Sequence, residues 1–317
     1  MLREQSEPKV NYGRDPNGLV RKQDWWEDSA IVFLTGYKMR SLLFSIAAIA
    51  MTALPASAQT LERVAETKQL NLGYRLDAAP LSYRMDDGQP AGYAPLVCVQ
   101  VAQAIINHLK IPNLNAQFVP VDASDRFEKV ASGEIDILCG AATITLGRRA
   151  LVDFSIPIFV DGTSLVLQKD APESLESFSG KKLGVRGNTT TEAALRNTLA
   201  SIGIQAEVVV FDTHGAGMAA MENKEIDGYF ADQSILAGLF FGSPKQADLK
   251  MSTEILTIEK QGLAIKRGDT EFRLVVDSAL SELYANGEML KIFQKAIPGV
   301  NPGLAMEAMY LIAPTVD

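Results

Sequence analysis

From residue 70 onward the apolar positions follow two alternating rhythms. Short continuous runs, Leu70 to Tyr74, Ala116 to Val119 and Ile135 to Leu138, read as buried strands. Between them the apolar residues recur at three- and four-residue spacing. Pro95 to Leu109 places Val97, Val101, Ile105 and Leu109 on one face with proline at its start, and Ser124 to Ala131 groups Phe127, Val130 and Ala131. A short hairpin runs from Leu81-Ser82-Tyr83 through Asp86-Asp87-Gly88 to Gly92-Tyr93. The plan then repeats. Lys182 to Val185, Glu207 to Phe211 and Ile226 to Phe230 read as strands; Thr190 to Ser201, Gly215 to Glu222 and a stretch from Gln233 to Phe240 read as helices. Glu134-Ile135-Asp136 and Glu225-Ile226-Asp227 hold equivalent places in the two halves. A β-α-β-α-β unit used twice predicts an α/β protein of two parallel-sheet lobes.

Open parallel sheets bind ligands beyond the carboxyl ends of their strands. The polar residues that follow each strand are therefore the candidates. In the first half these are Arg75, Arg126, and the pair Thr143 and Arg148; in the second they are Thr189 and Thr190, His214, and Asp232. Cys139 to Ser155 carries Thr143 and Arg148 on a turn of small and hydroxyl residues. By itself it reads equally well as an anion site or as a strand–turn–helix with a surface arginine. As a set, three arginines and one aspartate give a local excess of positive charge.

An α-amino acid fits that set. Arg148 can hold an α-carboxylate in bidentate fashion, and Thr189 with Glu192 has capping-box spacing that leaves helix N-terminal N–H groups beside it. Asp232, helped by the Thr143 hydroxyl, would take the ammonium. Arg75 and Arg126 are then left over, and two buried guanidinium groups without an anion would be costly, which calls for a second carboxylate on the ligand. His214 either donates to that end or caps its own turn.

Composition narrows the classes. The chain has 317 residues, 47% of them hydrophobic and 21% charged, which suits about two globular domains. Its net charge of −8 argues against a nucleic-acid partner, since phosphate backbones need a basic face. Two histidines and two cysteines, with no metal-ligand spacing, argue against a metal enzyme, and no cofactor is indicated.

Residues 39–58 read as a signal peptide: Lys38 and Arg40 are basic, Leu42 to Leu54 apolar, and Ala56-Ser57-Ala58 a small-residue cleavage site. The apolar core is shorter than the roughly 20 residues of a membrane span. Residues 1–38 precede a plausible initiator at Met39 and are expected to be a disordered, untranslated extension. Export after Ala58 would put the protein in the periplasm, where Cys98 and Cys139 could pair. The alternative is two buried thiols.

With those residues in place, the sequence resembles the periplasmic solute-binding proteins of amino-acid ABC transporters, family 3, and within them the glutamate/aspartate-binding branch. The resemblance runs from about Leu61 to Ile297. It rests on GYRLDAAPLSYRMDDGQPAGYAPLVC, SDRFEKVASGEIDILCG, TITLGRRALVDFSIPIF, GNTTTE, THGAG and YFADQSILAG. It implies a type 2, Venus-flytrap arrangement joined by two hinge strands at 158–162 and 257–261. Lobe I would then comprise 59–159 with 262–317, and lobe II 163–256. Carried over, Arg148 and Thr190 hold the α-carboxylate, Asp232 and Thr143 the ammonium, and Arg75, Arg126 and His214 a side-chain carboxylate. Ala141 stands where that branch usually has a ligand-contacting serine, which leaves the choice between glutamate, aspartate and another ligand open.

The function expected is capture of an L-amino acid by a monomer that delivers it to an ABC permease, and not an enzyme. Two alternatives share the scaffold. A cyclohexadienyl dehydratase-like enzyme would need a carboxylic acid of raised pKa in the cleft, for which Glu192 is the nearest candidate. A sensor ectodomain would need a membrane span or signalling domain.

Overall fold

The computed structural model describes residues 60–315. The expected signal peptide and extension lie outside the described residues. The chain opens with α1 (Thr60–Thr67), β1 (Gln69–Arg75), three short strands β2 (Asp77–Ala78), β3 (Ser82–Arg84) and β4 (Pro90–Ala91), and α2 (Tyr93–Leu109). It continues through β5 (Asn115–Val121), α3 (Arg126–Ser132), β6 (Ile137–Cys139), α4 (Leu146–Arg149) and β7 (Val152–Asp161). A second set follows: β8 (Thr163–Gln168), β9 (Lys182–Arg186), α5 (Thr190–Ile202), β10 (Glu207–Phe211), α6 (His214–Glu222), β11 (Gly228–Asp232), α7 (Gln233–Gly242) and β12 (Leu249–Met251). The chain then returns through β13 (Glu259–Lys266), α8 (Thr270–Ala285), α9 (Glu288–Ala296) and α10 (Leu304–Ile312).

Two five-stranded sheets result, ordered β5-β1-β6-β13-β7 and β10-β9-β11-β8-β12. The βαβ repeat supplies the parallel part of each, with β1 between β5 and β6, and β9 between β10 and β11. Neither sheet is wholly parallel, however: β13 runs antiparallel to β6 and β7, and β8 antiparallel to β11 and β12. These added strands belong to the segments that pass between the sheets, and a segment that returns must run against its neighbours. The lobes are therefore mixed α/β.

The largest core packs α2, α8 and α9 on the first sheet, with Leu70, Val97, Val101, Ile105, Phe272, Leu280 and Phe293 buried together. Ile137 and Cys139 face that side of β6, whereas Leu138 faces the other, against Val130 and Phe154. Cys98 of α2 and Cys139 at the end of β6 are joined by a disulfide. It ties the strand to its covering helix one residue before the turn that carries Ala141 and Thr143.

The chain passes between the sheets twice, from β7 to β8 and from β12 to β13. Asp161 and Glu259 are register partners where the two crossings meet. Gly162 is required there, because a Cβ would collide with the Thr257 carbonyl of the second crossing. Close crossings without side-chain bulk give the lobes a narrow neck.

Candidate functional site

Arg75, Arg126, Ala141, Thr143 and Arg148 from the first lobe meet Thr189, Thr190, His214, Asp232 and Ile235 from the second around one tight cavity of about 20 Å³. All eight sequence candidates line it. Six stand at a strand's carboxyl end or the helix start beyond it, and Thr143 and Arg148 lie in the loop and short helix α4 that follow β6, so the topology converges them. Strand β1 ends on Arg75, β11 ends on Asp232, and α3, α5 and α6 begin on Arg126, Thr190 and His214.

At one end, Arg148 lies at the last turn of α4, its Nη1 donating to the Thr143 carbonyl at 2.8 Å and its guanidinium 4.8 Å from the Phe127 ring centre. Arg126 covers the same ring at 4.6 Å. Neither arginine forms an ion pair among the described residues. Thr189 caps α5 by accepting the Glu192 N–H at 3.1 Å, and Glu192 in turn accepts from the Asn188 N–H at 3.1 Å. The capping box thus forms, one residue wider than its usual reach.

Arg126 is the most confined cation. Only 1% exposed, it donates to the carbonyl oxygens of Ala123 and Asn188, and its Nε has no partner. Burial pushes its pKa well down, with Arg75, Arg148 and Arg186 adding like charge and Asp122 opposing. A guanidinium keeps its proton at neutral pH in any case, so the strain is relieved by an anion rather than by deprotonation.

Arg75 differs from the sequence expectation. It is not left over, because Asp77 accepts from its Nη2 at 2.5 Å. Three residues absent from the sequence reading explain this: Asp77, Asp122 and Arg186. Arg186, at the end of β9, is 3% exposed and donates across the cleft to Asp77 at 3.0 Å and Asp122 at 2.8 Å. Three guanidinium groups (Arg75, Arg126, Arg186) thus face two carboxylates, leaving one positive charge at this end, carried by Arg126. The signal that could have found Arg186 is its place at the carboxyl end of a strand, three and four residues before the chosen threonines.

His214 is buried, its Nδ1 is 3.0 Å from the Tyr229 hydroxyl, and its backbone N–H donates to Asp77 at 3.3 Å. Burial, with Arg75 and Arg186 adding like charge, lowers it to about 3. The ring is therefore neutral. Capping of α6 falls instead to Thr213, which accepts from Ala216 N–H at 3.0 Å. Gly217 permits the arrangement, since any Cβ there would enter the Tyr229 ring.

Asp232 is the acidic residue of the cavity lining. It accepts from Gln261 Nε2 at 2.8 Å and from Thr191 Oγ1 at 3.4 Å. Burial raises its pKa to about 8, reinforced by the nearby carboxylates of Asp161 and Glu259 and opposed by Arg75 and Arg148. Those two further carboxylates also escaped the sequence reading. The local charge is consequently less positive than three arginines and one aspartate suggested.

Two mixed α/β lobes with a doubly crossed neck, and a polar cavity between their strand ends, define a type 2 periplasmic binding protein. Residues 70–298 match the bacterial extracellular solute-binding proteins, family 3, and the chain belongs to that family. It is 30% identical over 261 residues to the L-glutamate/L-aspartate-binding protein of Pseudomonas aeruginosa, covering 80% of this chain and 86% of the relative. The glutamate/aspartate import solute-binding protein of Escherichia coli is 24% identical over 244 residues, 77% of this chain and 81% of its own. Among solved structures, an ancestral arginine-binding protein bound to glutamine superposes with a TM-score of 0.63 at 26% identity, over 73% of this chain and 98% of the other. Among the described residues, no helix is long and apolar enough to cross a membrane.

Proposed function

We propose that the protein captures an acidic L-amino acid, glutamate or aspartate, between its lobes in the periplasm and delivers it to an ABC permease. Arg126 carries this reading. It is a buried guanidinium with a free Nε and no protein carboxylate, lining the same cavity as Asp232. In this reading Arg148 and the start of α5 hold the α-carboxylate, Asp232 with Thr143 the ammonium, and Arg126, beside Arg75 and His214, the side-chain carboxylate. The crossings at 158–162 and 257–261 act as the hinge. The P. aeruginosa and E. coli relatives, named for glutamate and aspartate, support the assignment. Hydrogen bonds to charged groups contribute about 1.5–3 kcal/mol each, and several of them, less ordering costs, support about micromolar affinity. Calorimetric titration with glutamate, aspartate, glutamine and arginine tests the proposal. Heat with the first two is expected; binding of glutamine alone, or of none, rejects it.

One observation favours a second reading. A carboxyl group kept protonated by burial is what general-acid catalysis by a dehydratase needs, and Asp232, whose pKa burial raises, has that property. Incubation with prephenate or arogenate followed by a search for product decides between capture and turnover.

A further inference from the structure

Glu259 lies behind the cavity rather than on it. It opens β13, is 6% exposed, and accepts hydrogen bonds from four threonine hydroxyls. Its Oε2 takes Thr143 Oγ1 at 2.5 Å and Thr190 Oγ1 at 2.8 Å. Its Oε1 takes Thr257 Oγ1 at 3.1 Å and Thr163 Oγ1 at 3.3 Å. An ionised carboxylate offers about four lone-pair sites and no proton. Four hydroxyl donors fill it, which leaves Glu259 no capacity to contact a ligand itself.

The consequence falls on the two threonines in front. A hydroxyl has one proton and two lone pairs. Thr143 and Thr190 both spend that proton on Glu259, so the Oγ1 atoms, 3.3 Å apart on the cavity wall, offer the cleft only lone pairs. Asp232, held by Gln261, the bridge partner of Thr143, and by Thr191, the neighbour of Thr190, contributes a further acceptor. Three acceptors at one end of a cavity complement the three N–H donors of an ammonium group. They repel a carboxylate. Thr190 is thereby withdrawn from side-chain donation to an α-carboxylate, which is left to Arg148 and the first backbone N–H groups of α5.

We propose that Glu259 is a positioning residue for ammonium recognition: by drawing the hydroxyl protons of Thr143 and Thr190 away from the cleft, it makes both oxygens acceptors for the ligand's α-ammonium. The inference rests on the reading that the cleft takes an amino acid. Because Thr143 comes from the first lobe, Thr190 from the second and Thr163 and Thr257 from the crossings, the same carboxylate makes this acceptor set complete only when the lobes are together.

The test compares glutamate with glutarate, which lacks only the α-amino group. Dissociation constants for both are measured by calorimetry, glutarate by competition, for the unaltered protein, Glu259→Met and Thr143→Val. Glu259→Met leaves both hydroxyls free to turn their protons into the cleft. Glutamate is expected to bind at least about tenfold more weakly while glutarate changes less than about threefold, with a smaller selective loss in Thr143→Val. Equal factors for the two ligands, or no change for glutamate, overturn the positioning role. Should Glu259→Met not melt cooperatively, the ratio in Thr143→Val decides alone. If the unaltered protein binds a different amino acid, the pair becomes that amino acid and its deamino analogue, and the inference stands or falls on the same ratio. Binding of no amino acid at all overturns it together with the functional reading.

Discussion

Arg186 and Asp77 come from different sheets, and the Arg186 Nε donates to Asp77 Oδ2 at 3.0 Å across the cleft. The same carboxylate holds Arg75 at 2.5 Å and the His214 N–H at 3.3 Å. Burial alone would raise Asp77, but Arg75, His214 and Arg186 outweigh it and keep it ionised, at about 2. Lobe contact and pocket charge are thus joined in one group: Asp77 neutralises Arg75 and anchors the facing strand end.

Cutting that anchor should favour the open form. Arg186→Met removes charge-assisted bonds to Asp77 and Asp122, although Asp122 is half exposed and Asp77 keeps Arg75. A net loss of about 1.5–3 kcal/mol is expected, which weakens glutamate roughly ten- to hundredfold by lowering the competent fraction. Small-angle scattering of the ligand-free variant should give a larger radius of gyration than the parent. An unchanged radius and affinity would remove the latch role.

The disulfide between Cys98 and Cys139 closes a loop of 41 residues. Restricting the unfolded chain to that extent stabilises the fold by about 4 kcal/mol in the loop-entropy picture. For a protein of this size that corresponds to a melting shift of roughly 10 °C. Reductant should lower the melting temperature by that amount, and Cys98→Ser with Cys139→Ser should reproduce the loss and abolish the effect of reductant. A melting point indifferent to reductant would show the crosslink contributes little.

The pH dependence follows from opposing groups. His214 is held neutral down to about 3, and Asp232 is held neutral up to about 8, with Asp161 also raised by burial. Between pH 6.5 and 8 the folded chain keeps a proton on Asp232 that the unfolded chain has released, so stability falls as pH rises. The slope is at most about 1.4 kcal/mol per pH unit, about 2 kcal/mol over the window. Below pH 6.5 the unfolded chain gains a proton on His214 that the folded chain lacks, and the two slopes cancel. A ligand ammonium favours the ionised Asp232, so binding at pH 7 should release up to one proton. Calorimetry in phosphate and in Tris should then differ in proportion to the buffers' ionisation enthalpies. Asp232→Asn should remove both that difference and the stability slope.

The βαβ units were legible because their inner strands β1, β6, β9 and β11, largely buried, read as continuous apolar runs, and the rule that ligands sit beyond strand ends brought eight scattered residues to one cavity. What stayed hidden depends on residues whose partners are remote in sequence. Nothing near Glu259 indicates that Thr143, Thr163 and Thr190, from three remote segments, join Thr257 on it, and Arg186 reads as a strand's last residue until Asp77 and Asp122 are seen opposite. The antiparallel strands β8 and β13 were missed because a crossing segment's direction is set by where the chain must return, not by its apolar pattern.

Arg126 and Ala141 bear on ligand choice most directly. Arg126 supplies the one unmatched charge beside Arg75 and Arg186, and Ala141 lines the same cavity with a methyl group. Removing the guanidinium in Arg126→Ala costs the side-chain carboxylate its charged partner, expected at about 1.5–3 kcal/mol for glutamate, whereas glutamine's neutral amide loses a hydrogen bond to the guanidinium but no ion pair, a smaller loss. The glutamate-to-glutamine preference should therefore fall by roughly tenfold in calorimetric titration, and equal losses would take Arg126 out of the side-chain pocket. Ala141→Ser adds a hydroxyl to the same cavity without changing charge, so it should tighten both ligands by a similar factor. A selective gain for one of them would instead make position 141 a determinant of which side chain the cavity accepts.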